Sequence, residues 1–120
     1  MTFRVLISAP YFLPEIDRFQ TFFDQNNIEP VIAPVEERLE EAELLELISD
    51  IDGIVCGDDR LTARVFDAGP RLKVISKWGT GIDSIDIAAA AERSIVVCRT
   101  PGAFTEPVAD TVLGYILCFA

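Results

Sequence analysis

Apolar and polar positions alternate between two periods almost to the end of the chain. Phe3 to Ser8 is a short β-rich run. Behind Pro14, a residue suited to a first helical turn, Ile16, Phe19 and Phe23 recur at helical spacing and predict a helix over Glu15 to Asn26. A second strand follows at Glu29 to Ala33. Glu36 to Asp50 carries Leu39, Ala42, Leu45 and Ile48 at steps of three on an acidic background, the pattern of an amphipathic helix with its acids in water. Gly53 to Cys56 reads as a third strand, Thr62 as the cap of a helix through Ala68 that stops at Gly69-Pro70, and Leu72 to Ser76 as a fourth strand. Asp83 or Ser84 is expected to cap a helix through Ala88 to Arg93, and Ile95 to Cys98 is the fifth strand.

Five near-continuous apolar runs joined by helical crossovers predict an α/β fold with a parallel sheet covered on both faces. Right-handed crossovers make it flavodoxin-like and doubly wound, with strand order 2-1-3-4-5. From Thr105 the pattern changes. Glu106 to Ala120 is a long apolar helix with no polar face beyond Asp110 and Thr111, and such a helix needs cover all round. The chain is therefore expected to stop inside a larger protein, with an incomplete lobe over 1–104. Burial of the same helix by dimerisation is the alternative.

At 120 residues the chain is one domain. Its 20 acids against 10 basic residues give a net charge of −10, which repels phosphate backbones and anionic lipid, so neither nucleic acid nor a membrane surface is an expected partner. No apolar run reaches the roughly 18 residues of a membrane span, and the start carries no secretory h-region, which leads to a cytoplasmic expectation. Histidine is absent, so imidazole triads, imidazole zinc sites and His-dependent proton relays are impossible within these residues. Cys56, Cys98 and Cys118 lack C-x-x-C spacing and read as buried reduced thiols.

In open parallel sheets, ligands bind beyond the carboxyl ends of the strands. The informative end here is Ser76-Lys77-Trp78-Gly79-Thr80-Gly81. Glycines on either side of Thr80 let the backbone approach a small ligand, and successive amides in such a turn make a nest for a carboxylate, with Lys77 adding field nearby. A plain strand-to-helix connection accounts for the same glycines. Ile82-Asp83-Ser84 follows, so the third glycine of G-x-G-x-x-G is missing and cofactor pyrophosphate is not expected at this turn. Asp58 and Asp59 form a paired carboxylate that suits a shared proton or Mg²⁺, or else a helix-entry turn. Trp78 suits either a pocket wall or cover for the sheet edge.

The run Leu72 to Asp86, followed by Thr100-Pro101-Gly102-Ala103 and Glu106-Pro107-Val108-Ala109-Asp110, closely resembles the D-isomer-specific 2-hydroxyacid dehydrogenases of the phosphoglycerate dehydrogenase type. The three blocks come in the family's order and spacing. The resemblance implies the substrate-binding lobe of an NAD-dependent oxidoreductase, with NADP open, acting on a small D-2-hydroxy acid or 2-oxo acid as a homodimer. It implies that Gly79, Thr80 and Gly81 hold the substrate carboxylate, that Val108 touches cofactor across the cleft, and that the catalytic Arg, Glu and His belong to a Rossmann lobe outside these residues, to which 105–120 leads as an interdomain helix. Cys56-Gly57-Asp58-Asp59 stands where many relatives place a basic residue, and Arg99 where Asn is common. Two acids near the cleft disfavour a phosphorylated substrate.

Two other classes compete. A dinucleotide-sensing, corepressor-like relative without turnover fits the same motifs. A receiver-type signalling domain fits the fold but wants acids after the first strand, where this chain has Ser8-Ala9-Pro10.

Overall fold

Successive side chains leave opposite faces of a strand, and the apolar residues here are divided accordingly. In the computed structural model, which describes residues 1–99, five strands pair in parallel: β1 (Phe3–Ile7), β2 (Ile28–Ile32), β3 (Gly53–Cys56), β4 (Val74–Lys77) and β5 (Val96–Cys98). Their order is β2-β1-β3-β4-β5, the expected flavodoxin-like arrangement. Val5 stands opposite Gly53, and Gly53 opposite Val74, so one row of the sheet runs level across three strands. Pro30, which lacks an amide donor, is confined to the edge strand β2.

Leu6, Ile54, Cys56 and Ile75 face one side, where they pack with Leu44, Ile48, Val65, Phe66 and Ala90. Those partners come from α2 (Glu41–Leu47), the 3-10 turn Ile48–Asp50, α3 (Ala63–Ala68) and α4 (Ile87–Glu92). Ile7 and Ala9 lie in a second cluster with Phe12 and Phe23, the latter from α1 (Gln20–Gln25). Both faces therefore carry helical cover, as a doubly wound sheet requires.

Three local expectations are corrected. The segment expected as one helix over Glu15 to Asn26 begins as a 3-10 helix, Leu13–Phe19, and widens into α1 only afterwards. Its entry is a tight turn: the amides of Phe12 and Glu15 donate to Ala9 O and Phe12 O, three residues back and one step shorter than α-helical bonding, while that of Leu13 reaches Ala9 O at the α-helical spacing of four. The acidic helix starts at Glu41 rather than Glu36, because Glu40 and Glu43 form a reciprocal capping box that sets its first turn. The cap of α4 is Asp86, whose carboxylate accepts from the Ala89 amide at 3.0 Å. Asp83 and Ser84 lie instead in a turn that the Ile85 amide closes on Ile82 O, just ahead of a one-residue parallel bridge between Leu61 and Ile85. Thr62 caps α3 as expected, accepting from the Val65 amide. The expected helix over Glu106 to Ala120, Thr100-Pro101-Gly102, Val108 and Cys118 lie outside the described residues.

Candidate functional site

The carboxyl ends of β1, β3 and β4 converge on one open cavity of about 560 Å³. Ala9, Pro10 and Tyr11 wall it after β1, Gly57 and Asp58 after β3, and Lys77 and Trp78 at the end of β4. Val35, Glu36 and Glu37 close it from the chain that leaves β2. The two glutamates reach this rim because the capping box starts α2 late and leaves residues 36–40 as a connecting loop.

Lys77 is buried, and its ammonium donates to Gly57 O at 2.7 Å and to Asp58 Oδ1 at 2.5 Å. The hydrogen bond from Lys77 holds the Asp58 carboxyl below the usual carboxylate range, against a smaller effect of burial. Asp58 itself stays in solvent. Trp78 anchors its amide on Cys56 O at 2.8 Å and stacks its ring on that of Phe12, with centroids 4.9 Å apart and planes 17° from parallel. Phe12 is buried while Trp78 is 41% exposed, so the indole has one packed face and leaves surface on the cavity. Of the two sequence readings of Trp78, the pocket wall is the one that this geometry meets.

Asp58 and Asp59 do not act as a pair. Asp59 is fully buried, accepts from the Leu39 amide at 2.6 Å and from the Ser8 hydroxyl, and turns away from Asp58, which is bound to Lys77. Neither acid enters the cap of α3, a position that Thr62 occupies. Among the described residues no group of three or more His, Cys, Asp or Glu side chains is placed to hold a metal ion.

The glycine turn starts where the cavity wall ends. Gly79 has φ +135°, a conformation that side-chain-bearing residues rarely adopt, and its amide donates to Lys77 O at 3.0 Å. The Arg99 guanidinium donates to Thr80 O at 3.4 Å. Among the described residues no acceptor meets the amides of Thr80 and Gly81. A Cβ built on Gly81 has nothing within 4 Å, so the backbone there is open to a ligand. The turn does not fit a dinucleotide pyrophosphate: residues 82–86, with Ile85 bridged to Leu61, separate it from α4, so no helix N-terminus directly follows the glycines. Among the residues lining the cavity, sequence reasoning missed Glu36 and Glu37; the available signal was the Glu40 and Glu43 pair, which marks a later helix start.

The family model described as D-isomer specific 2-hydroxyacid dehydrogenase, catalytic domain, matches residues 5–113. A glyoxylate reductase of Thermofilum pendens is 47% identical over 76 residues, covering 62% of this chain and 22% of its own length. A hydroxypyruvate reductase of Thermotoga maritima is 39% identical over 85 residues, covering 70% of this chain and 28% of its own. The chain thus spans well under a third of these relatives. The crystal structure of cofactor (NAD+) bound 3-phosphoglycerate dehydrogenase of Entamoeba histolytica superposes with a TM-score of 0.74 at 25% identity, covering 95% of this chain and 38% of that one.

Proposed function

The chain belongs to the D-isomer specific 2-hydroxyacid dehydrogenases, through a match to their catalytic-domain model over residues 5–113, and on that premise we propose that it is the substrate-holding lobe of an NAD-dependent oxidoreductase. The proposed reaction moves a hydride between a nicotinamide and the C2 carbon of a small D-2-hydroxy acid or 2-oxo acid. The single observation that carries this reading is the turn at Gly79, Thr80 and Gly81, where the amides of Thr80 and Gly81 meet no acceptor among the described residues, beside an open cavity.

The substrate carboxylate accepts from the Thr80 and Gly81 amides, gaining charge-assisted hydrogen bonds without a basic side chain at the turn. Fixing the acid at one end orients C2 for attack, which is the share of the barrier that positioning can lower. NADH, or NADPH in its place, supplies the hydride when bound, and the oxidised form accepts it in the reverse direction; no described residue forms a site for its pyrophosphate, so the role of this chain is to bind and orient the acid. Val108 is assigned by the same reading to a cofactor contact. On this reading the whole enzyme is a cytoplasmic homodimer, and the 120-residue chain alone carries no turnover, since it has no histidine to move the proton.

The test is NADH oxidation by the full-length protein against a panel of 2-oxo acids. Turnover with at least one small 2-oxo acid is expected. Tight NADH binding with no turnover on any of them overturns the enzyme reading in favour of a redox sensor.

A further inference from the structure

We propose that the cavity beside the glycine turn receives the side chain of the 2-oxo acid and that the Lys77–Asp58 ion pair is its charge filter, admitting monoanionic acids and rejecting those with a second carboxylate or a phosphate. The proposal rests on the assignment of the substrate carboxylate to the amides of Thr80 and Gly81.

Three observations carry it. Trp78 forms part of the cavity wall and lies two residues before Thr80, about 7 Å of backbone, so an acid held on the turn has its far end beside the indole. The wall is aromatic there: Trp78 is held by stacking on the buried Phe12 ring, and the exposed Tyr11 also lines the cavity. Among the described residues that line the space the charged groups are three carboxylates, Glu36, Glu37 and Asp58, and one ammonium, Lys77, with Arg38 paired to Glu37 at 4.0 Å from outside the lining.

That ammonium is not available to a second anion. Asp58 holds it at 2.5 Å and Gly57 O at 2.7 Å, so an incoming carboxylate meets a neutralised cation and two further acids. An uncharged methyl or hydroxymethyl group meets no such opposition. The short, exposed Asp58 side chain, and not the buried lysine, thereby sets the charge that the cavity accepts.

The chain's own Trp78 is the reporter, because it is the one tryptophan in the sequence. Pyruvate and 2-oxoglutarate are titrated into the chain while indole fluorescence and the amide resonances of Thr80 and Gly81 are followed. Pyruvate is expected to move all three signals, and 2-oxoglutarate to bind at least about tenfold more weakly, a gap that narrows with added salt. Asp58→Asn, a near-isosteric change at a side chain 71% exposed, is expected to close most of that gap. Glu36→Gln is a second route, acting in the same direction without touching Lys77.

Equal binding of the two acids in the unmodified chain, or a gap that neither substitution narrows, overturns the filter. Amide shifts with a silent indole overturn the side-chain subsite and leave the carboxylate turn standing. Silence at both overturns the turn assignment and the filter with it.

Discussion

The hydroxyl of Ser8 donates to the carboxylate of Asp59, although the two residues are 51 positions apart in the chain. The other carboxylate oxygen accepts from the Leu39 amide at 2.6 Å, so one buried side chain ties together the exits of β1 and β3 and the approach to α2. These are the segments that wall the cavity. Asp59→Ala leaves the buried Leu39 amide without its acceptor and is expected to cost about 2–3 kcal/mol of stability. Asp59→Asn is expected to cost under about 1 kcal/mol, because its oxygen still serves Leu39 while Ser8 turns to accept from the new NH₂ and to donate to Val55 O.

Burial pushes the Asp59 carboxyl above the usual carboxylate value of 3.8, against its two hydrogen bonds. The folded chain therefore holds this proton more tightly than the unfolded one. The corresponding stability is complete below the unfolded value and is lost as pH rises through the folded one. Relative to the native chain, Asp59→Asn should gain stability with rising pH across that window, as read by urea unfolding on either side of it. A constant difference would show that Asp59 does not titrate in this way.

Asp52 carries the opposite sign. Burial alone would raise it, but the Arg4 amide at 2.8 Å and the Arg71 guanidinium at 3.1 and 2.9 Å together hold it below 3.8. Its contribution is thus present above the unfolded value and lost as pH falls through the folded one. Asp52→Asn is expected to cost about 1–2 kcal/mol near neutrality and almost nothing in strong acid. Half of Arg71 is exposed, so salt should remove part of the neutral-pH cost. Acid-unfolding curves of the two chains that stay parallel would contradict this.

The strand order was legible because every strand is a short apolar run and every crossover is long enough for a helix. Thr62 was legible for a local reason, since a capping hydroxyl acts within three residues. Local pattern failed where a distant partner decides the outcome. Asp58 and Asp59 are adjacent in sequence, yet Lys77 claims one and Ser8 with Leu39 claims the other, and no spacing rule couples positions 19 to 51 apart. The helical steps through Leu39 likewise ran past Glu36 and Glu37, which the capping box leaves on the cavity rim. The glycine turn was legible as a candidate nest; the open amides of Thr80 and Gly81 became visible only with the fold.

Cysteine reactivity separates two thiols that the sequence treated alike. Cys56 is buried, and desolvation with the nearby Asp59 charge pushes its thiol up to about 12, whereas Cys98 is exposed and departs from the expected burial. Only the thiolate alkylates appreciably. Iodoacetamide on the native chain should label Cys98 and spare Cys56 at mildly alkaline pH, with peptide mass spectrometry resolving each site. Unfolding in urea should equalise the two, and native labelling of Cys56 at a comparable rate would contradict the burial that protects it.

Gly79 and Gly81 offer a clean division between folding and binding. A Cβ at Gly79 makes only an ordinary 3.7 Å contact with Lys77 Cε, but the φ of +135° strains any L side chain, so Gly79→Ala should destabilise the chain by about 1–3 kcal/mol. At Gly81 a Cβ meets nothing within 4 Å, and thermal unfolding of Gly81→Val should stay within about 0.5 kcal/mol of the native chain. Any effect of Gly81→Val on the 2-oxo acid must then come from the space the ligand occupies. In the full-length protein KM for the acid should rise at least about tenfold, since a branched side chain stands over the amides that hold the carboxylate. An unchanged KM in a fully folded Gly81→Val protein would place the carboxylate elsewhere.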